Sequence, residues 1–212
     1  MIKPYYQDEW ATIYNGDCRD ILPELPKVDL ILTDPPYGIG ASSKKFINGT
    51  SATIKKYYED VDWDIAPPPK ECFDLMFSVS SEQIIWGGNY FWDYLKPTRC
   101  FLIWDKTIHG NSYADCEFAW TSLKQVARIK ALNMVAANLD GRVHPTQKPL
   151  NLMLWCLSLV PKAQTILDPF LGSGTTVVAS KKLNRKCIGI EIEEKYCEIA
   201  AKRLSQSVMR LE

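Results

Sequence analysis

The sequence predicts a single α/β domain built on a mostly parallel sheet of about seven strands. Short segments rich in β-branched and aromatic residues alternate with segments of helical periodicity along the 212-residue chain. A glycine-rich stretch joins one such strand directly to a helix. The apolar fraction is 46% and the charged fraction 24%, as in globular proteins that bury a core. Alternation of this kind indicates a parallel sheet with helices on both faces.

Each predicted element has its own local signal. Seven short apolar runs predict strands at residues 12–15, 28–33, 83–86, 100–104, 117–121, 165–168 and 187–191. Helical spacing predicts helices at residues 67–80, 149–159, 175–183 and 193–205. The first of these begins with prolines, which suit a first helical turn, and the second ends before a proline.

Residues 38–66 and 122–143 lack clear periodicity, which inside a compact domain is typical of functional or mobile segments. They overlap two acid-poor stretches, residues 39–58 and 118–167, although the chain carries 25 basic and 25 acidic residues and no net charge. We expect this segregation to give one basic face that meets phosphates, with solvated lysine-rich loops as the alternative. The candidate DNA-binding residues are Lys44, Lys45, Lys55, Lys56, Lys124, Arg128, Lys130 and Arg142.

Several classes of site are disfavoured by composition. The seven cysteines are odd in number and form no C-x-x-C pair, which favours free thiols in a reducing cytosol. With two histidines, a histidine-rich metal centre is not expected. The start of the sequence has no signal-peptide pattern, and the longest apolar run is shorter than the roughly 20 residues of a membrane span. We therefore expect a cytoplasmic protein that uses no metal and no membrane.

The stretch DPFLGSGTT, residues 168–176, predicts a cofactor site. It follows a strand and opens a helix, and Gly172 and Gly174 allow close approach of the backbone to a ligand. The next strand ends at Glu191, where a carboxylate can accept both hydroxyls of a ribose. The position of a third NAD-type glycine holds Val177, and Asp168 suits a cationic ligand better than a pyrophosphate. An adenosine-containing cofactor is indicated, the alternative being a glycine turn used for packing.

The stretch DPPY, residues 34–37, closes another predicted strand. Ligands of open α/β sheets bind beyond the carboxyl ends of the strands. Two prolines fix the backbone, so that the Asp34 carboxylate and the Pro35 carbonyl form two acceptors for one amino group. Tyr37 offers a flat face on which a nucleobase could stack. A plain β-turn is the alternative, and Asp17, in NGDC, is by itself equally well explained as a helix cap.

Taken together, these motifs resemble the β group of DNA amino-methyltransferases. DPPY is similar to the catalytic motif of that family, DPFLGSGTT to its S-adenosylmethionine loop, and HPTQKP to the segment before that loop. NGDC, GIEI and WGGNYF also match family elements. The resemblance implies a Rossmann-like methyltransferase fold with a circularly permuted motif order, because here the catalytic motif precedes the cofactor loop. Residues 1–212 would form one S-adenosylmethionine-dependent methyltransferase domain.

The resemblance also implies roles for individual residues. The catalytic residues would be Asp34, Pro35, Pro36 and Tyr37. The cofactor-binding residues would be Asp17, Cys18, Asp34, His144, Thr146, Lys148, Asp168, Phe170, Gly172, Ser173, Gly174, Thr175, Glu191 and Ile192. Double-stranded DNA would be the substrate, with residues 38–66 as a mobile base-flipping loop and residues 122–143 as a reduced target-recognition segment. The family often dimerises, so a homodimer is one expectation.

The function that this resemblance implies is transfer of a methyl group to the N6 amino group of adenine in DNA. Cytosine-N4 methylation is the nearest alternative, and family members that act on cytosine more often have serine at the position of Asp34. RNA or protein-glutamine N-methylation is disfavoured by the motif order and the basic loops. A non-catalytic DNA-binding subunit is disfavoured by the intact DPPY and glycine loop.

Overall fold

A computed structural model describes residues 2–40, 64–110, 114–133 and 147–206. In these ranges nine strands form one sheet, in the order β1-β2-β9-β8-β3-β4-β6-β5-β7. The strands are β1 (Tyr6–Gln7), β2 (Ala11–Asn15), β3 (Val28–Thr33), β4 (Ser80–Trp86), β5 (Phe101–Asp105), β6 (Cys116–Thr121), β7 (Arg128–Ala131), β8 (Thr165–Asp168) and β9 (Lys186–Glu191). The α-helices are α1 (Cys18–Ile21), α2 (Lys70–Val79), α3 (Leu150–Ser158), α4 (Thr175–Lys182) and α5 (Glu194–Gln206). The prediction of an α/β domain with a mostly parallel sheet is confirmed.

Seven of the nine strands run in one direction, and β1 and β6 run against them. The carboxyl ends of the parallel strands therefore meet at one edge of the sheet, which we call the carboxyl edge. Because β6 is antiparallel, its first residues also lie at that edge. This arrangement decides which side chains can meet in the site.

Helices cover both faces of the sheet, so the central strands are buried on both sides. Leu30 and Leu32 of β3 belong to the apolar core that includes α3, α4 and α5. Ile31, between them, belongs to the core formed with α1 and α2. A strand buried on both faces reads as a continuous apolar run, which is why VDLILT was recognisable from sequence.

Two strands were not predicted. β1 has two residues, and its position is fixed by antiparallel pairing with β2. β7 lies inside residues 122–143, so the prediction that this segment is irregular was wrong for Arg128–Ala131. The strand is short and mostly exposed, and the pairing of Ile129 with Ile103 of β5, rather than any apolar pattern of its own, places it in the sheet.

Residues 41–63 and 134–146 lie outside the described ranges, and with them most of the predicted base-flipping loop and the second half of the predicted target-recognition segment. All seven cysteines are described, and each is a free thiol. In the described part of the chain, no helix has the length and apolar character needed to cross a membrane.

Candidate active site

A cavity of about 370 Å³ opens at the carboxyl edge, where β2, β9, β8 and β3 end. Its volume is that of a small-molecule site. The predicted site residues that line it are Asp17, Cys18, Asp34, Pro36, Lys148, Asp168, Phe170, Gly172, Ser173, Thr175, Glu191 and Ile192. Pro35 is buried beside it, and Gly174 and Tyr37 are not part of the lining.

The two glycines of the DPFLGSGTT loop have different roles. Gly172 has a φ of +54°, and a Cβ added to it would meet no atom within 4 Å, so its backbone is open to the cavity. Gly174 has a φ of +85°, and a Cβ there would lie 2.6 Å from the Cβ of Ala200 in α5. Close approach to a ligand thus applies to Gly172, whereas Gly174 is required for helix packing.

The same loop is braced by a residue that sequence reasoning missed. Nη1 of Arg203, in α5, donates to the Ser173 carbonyl at 2.7 Å and lies 3.2 Å from the Ser173 hydroxyl. That hydroxyl in turn donates to the Gln147 side chain at 3.1 Å. Arg203 has no distinctive signal in the sequence, because its contact depends on how α5 packs.

Glu191 ends β9 with its carboxylate facing the cavity. Its two oxygens accept hydrogen bonds from the backbone N–H groups of Gly172 at 2.7 Å and of Glu193 at 2.8 Å. Each carboxylate oxygen keeps a further lone pair for a ligand hydroxyl. Burial raises the pKa of Glu191 to about 7, in spite of these two backbone donors.

Asp168, at the end of β8, connects the glycine loop to β3. It accepts a hydrogen bond from the Thr33 hydroxyl at 2.6 Å and one from the Phe170 N–H at 3.1 Å. Burial raises the pKa of Asp168 to about 6. Two carboxylates thus face the cavity from neighbouring strands, which favours a ligand with positive charge.

Asp17 both caps a helix and lines the cavity. Its carboxylate accepts a hydrogen bond from the backbone N–H of Arg19 at 2.8 Å and pairs with the Arg19 guanidinium at 2.5 Å. These contacts with Arg19 lower the pKa of Asp17. The helix-cap alternative is therefore right, and it is compatible with a role in the cavity.

The DPPY residues are engaged with one another rather than open. The Tyr37 hydroxyl donates to one oxygen of Asp34 at 2.6 Å, and Nζ of Lys148 lies 2.7 Å from the other. The Tyr37 ring stacks on Tyr90, with centroids 4.7 Å apart and an interplanar angle of 15°. A Cβ on Gly87 would overlap the Tyr37 ring, so this glycine makes room for it. The flat face predicted for Tyr37 is covered by Tyr90, which belongs to the WGGNYF element but was given no role from the sequence.

Lys148 is the centre of a buried ionic cluster. Its side chain is 6% exposed, and Nζ lies 2.7 Å from Asp34 and 3.0 Å from Glu117 of β6. Glu117 also pairs with Lys106 at 2.8 Å. Burial would raise the pKa of Glu117, but Lys148 and Lys106 bring it down to about 2. Burial also raises the pKa of Asp34, and there the nearby Lys148 does not outweigh it.

The other predicted site residues are less centrally placed or not described. Lys124 and Arg128 are exposed at or just before β7, Lys130 is half-buried there, and none of the three lines the cavity. The remaining ones lie outside the described ranges: Lys44, Lys45, Lys55, Lys56, Arg142, His144 and Thr146. Within the described ranges, no group of three acidic, cysteine or histidine residues could hold a metal ion.

Comparison with known proteins identifies the family. The model of the N6/N4 methyltransferases, described as DNA methylase, matches residues 96–202. The chain belongs to this DNA methylase family. The family resemblance read from the motifs is therefore confirmed.

Two relatives match almost the whole chain. The type II methyltransferase M.HinfI of Haemophilus influenzae is 28% identical over 256 residues, covering 97% of this chain and 71% of that protein. M2.DpnII of Streptococcus pneumoniae, another type II methyltransferase, is 27% identical, covering 96% of this chain and 93% of that protein. The alignment to M.HinfI is longer than this chain, so that protein carries inserted segments that this one lacks.

Solved structures of methyltransferases share the fold. The complex of M1.HpyAVI with S-adenosylmethionine is 26% identical with a TM-score of 0.59, covering 92% of this chain and 99% of that one. The cytosine-N4-specific PvuII DNA methyltransferase is 16% identical with a TM-score of 0.65, covering 95% and 89%. S-adenosylmethionine is the cofactor of this family, as the motifs predicted.

The ionic cluster leads to a stability prediction. Replacing Lys148 with methionine leaves Asp34 and Glu117 without the cation they share, and we expect the free energy of unfolding to fall by about 3–5 kcal/mol. Lys70→Met is the control, because it breaks an exposed pair with Asp74 and should cost about 0.5 kcal/mol or less. Urea unfolding of the two variants measures both values. Equal losses would contradict the central place of Lys148.

Proposed function

We propose that this DNA methyltransferase transfers the methyl group to the N6 amino group of adenine. The observation that carries the proposal is the position of Asp34, which follows β3 directly, faces the cofactor cavity and is held by two prolines. A carboxylate there is a stronger acceptor for an amino group than the serine that cytosine-modifying members more often have. Such an acceptor suits N6 of adenine.

The residues around the cavity fit S-adenosylmethionine. The ionised Glu191 would accept the ribose hydroxyls, and the open backbone at Gly172 allows the ligand to lie close to the loop. Asp168 supplies negative charge for a cationic group. When bound, the cofactor supplies a methyl group activated by a sulfonium centre. The proposed contact residues are Asp17, Cys18, Asp34, His144, Thr146, Lys148, Asp168, Phe170, Gly172, Ser173, Thr175, Glu191 and Ile192.

The chain's own contribution is to position the amino group. Asp34 and the Pro35 carbonyl would accept its two N–H bonds and turn the nitrogen lone pair toward the cofactor side of the cavity. Positioning and preorganised acceptors of this kind account for large parts of enzymatic rate enhancement. Because Tyr37 and Lys148 occupy Asp34 in this structure, the arriving amino group would take the place of the Tyr37 hydroxyl.

Asp34 would also hold the proton that the amino group loses. Burial raises the pKa of this carboxyl above its ordinary value, which makes the carboxylate a better proton acceptor than an exposed aspartate. To stack on the base, Tyr37 would also have to leave its stacked position on Tyr90.

Access to the base requires that it leave the duplex, at a cost of a few kcal/mol. Residues 38–66, with Lys44, Lys45, Lys55 and Lys56, are proposed to close over the DNA. Lys124, Arg128, Lys130 and Arg142 are proposed to contact phosphates, and residues 122–143 to form a short target-recognition segment. A role in restriction–modification follows from the type II relatives.

Nucleoside analysis tests the choice of base. DNA treated with the protein and S-adenosylmethionine is digested to nucleosides, and N6-methyladenine is separated from N4-methylcytosine by chromatography. We expect N6-methyladenine. Detection of N4-methylcytosine alone would contradict the adenine assignment but leave the methyltransferase activity intact.

A substitution tests the role of Asp34. Asp34→Ala removes the acceptor for the amino group, so methyl transfer should fall by a factor of about 10² or more, while the affinity for S-adenosylmethionine stays within a few-fold. Asp74→Ala, at an exposed helix position, is the control and should keep the rate of the unmodified protein. Single-turnover rates and calorimetric titration measure the two quantities. Full activity in Asp34→Ala would refute the assigned role.

The raised pKa of Glu191 predicts a pH dependence of cofactor binding. Below about pH 7 this carboxyl is mostly protonated, and the protonated form accepts the ribose hydroxyls less well. The affinity should therefore rise by up to about tenfold from about pH 6 to about pH 8. In Glu191→Gln the part of this pH dependence that comes from Glu191 should disappear. The part that comes from titration of Asp168 should remain in both proteins. Calorimetric titration at several pH values measures it, and an unchanged slope in the variant would contradict the prediction.

A further inference from the structure

Four charged side chains of alternating sign form a row at the carboxyl edge. The row runs from Asp34 through Lys148 and Glu117 to Lys106, with nitrogen–oxygen distances of 2.7, 3.0 and 2.8 Å. Each side chain is at most 22% exposed. Nζ of Lys106 also lies 5.4 Å from the centroid of the Trp104 ring, which holds the outer end of the row in place.

The sheet topology brings these residues together. Asp34 follows β3, and Lys106 follows β5, another parallel strand. Glu117 is the second residue of β6 and reaches the same edge because β6 is antiparallel to its neighbours. Lys148 comes from the segment just before α3.

Among the described residues, Glu117 and Lys106 are not part of the lining of the cavity. A buried ion pair is also a weak source of stability, since the cost of desolvation offsets most of the attraction. Glu117 is connected to the cavity through its contact with Lys148, which is one of the lining residues. One ammonium group is thus shared between two carboxylates, of which only Asp34 faces the cavity.

We propose that Glu117 is a positioning residue for methyl transfer, which holds the Lys148 ammonium between two carboxylates so that Asp34 remains available to the target amino group. The proposal rests on the role assigned to Asp34 above. Without the charge on Glu117, Lys148 has a single carboxylate to pair with. It would then settle on Asp34 and compete with the incoming amine. Lys106 keeps Glu117 ionised and fixed in place.

The pH dependence of the rate distinguishes positioning from a purely structural role. The charged and titratable groups that face Asp34 are Lys148, Tyr37, Glu117 and Asp168. Loss of the negative charge on Glu117 removes its repulsion of the Asp34 carboxylate. It also leaves Asp34 as the one carboxylate that pairs with Lys148. Both effects favour ionised Asp34, so the acid limb of the rate profile should move to lower pH even as the maximal rate falls.

The test uses Glu117→Gln, which keeps the side chain's size and can still accept a hydrogen bond from Lys106. Single-turnover methylation of DNA at saturating S-adenosylmethionine is measured from about pH 5 to about pH 9. We expect the maximal rate to fall about tenfold or more and the acid limb to shift to lower pH, with cofactor affinity unchanged within about twofold. Glu198→Gln, which alters an exposed pair on α5, is the matched control and should leave the whole profile unchanged.

Two results would overturn the proposal. One is a maximal rate in Glu117→Gln equal to that of the unmodified protein. The other is a lower rate with an unshifted acid limb and a reduced free energy of unfolding, which is the pattern of a structural residue. If Glu117→Gln does not fold, Glu117→Asp takes its place, because it keeps the charge on a shorter side chain. It should show a smaller loss of rate with an acid limb near that of the unmodified protein, and an unaltered rate would count against positioning.

Failure of the proposed function would look different. If the unmodified protein transfers no methyl group to DNA, or if Asp34→Ala retains full activity, the role of Asp34 is wrong. If the unmodified protein is active and Asp34→Ala is not, the role of Asp34 stands. The pH–rate profile of Glu117→Gln then tests only the positioning role of Glu117.

Discussion

The ammonium group of Lys148, held between Asp34 and Glu117, allows two carboxylates from different strands to be buried at the same edge of the sheet. An unpaired buried carboxylate is costly, and in most proteins it would either be protonated or displace the strand that carries it. Here the shared cation offsets part of that cost, so the end of β3 can present a carboxylate beside an apolar core.

The two glycines of the DPFLGSGTT loop serve different purposes. The glycine loop combines a residue whose open backbone faces the cavity, Gly172, with one whose absent side chain lets two helices touch, Gly174. Arg203 then fixes the loop from α5 through the Ser173 carbonyl. This contact adds to the burial of Leu171 in the core, so the loop is fixed from both sides.

The sequence was sufficient where the signal is local. The buried run of β3, the glycine loop after β8 and the carboxylate ending β9 were recognisable because each depends on neighbouring residues. β1 and β7 were missed because pairing with an adjacent strand, rather than their own pattern, makes them strands. The stacking of Tyr37 on Tyr90 and the contact of Lys148 with Glu117 join residues distant in sequence. Tyr37, Tyr90 and Lys148 lie in motifs that were noted, but Glu117 was missed, and its charge inside the apolar strand CEFAWT is the signal that could have found it.

Gly87 is a position where no other residue fits the present arrangement of the site. It directly follows β4, has a φ of +71°, and has no functional group, yet any side chain there would overlap the Tyr37 ring. Because Tyr37 reaches Asp34 from that location, the resting hydrogen bond of the aspartate depends on the absence of a methyl group on the adjacent strand. Position 87 is thus constrained by the packing of Tyr37 beside Asp34 and not by a functional group of its own.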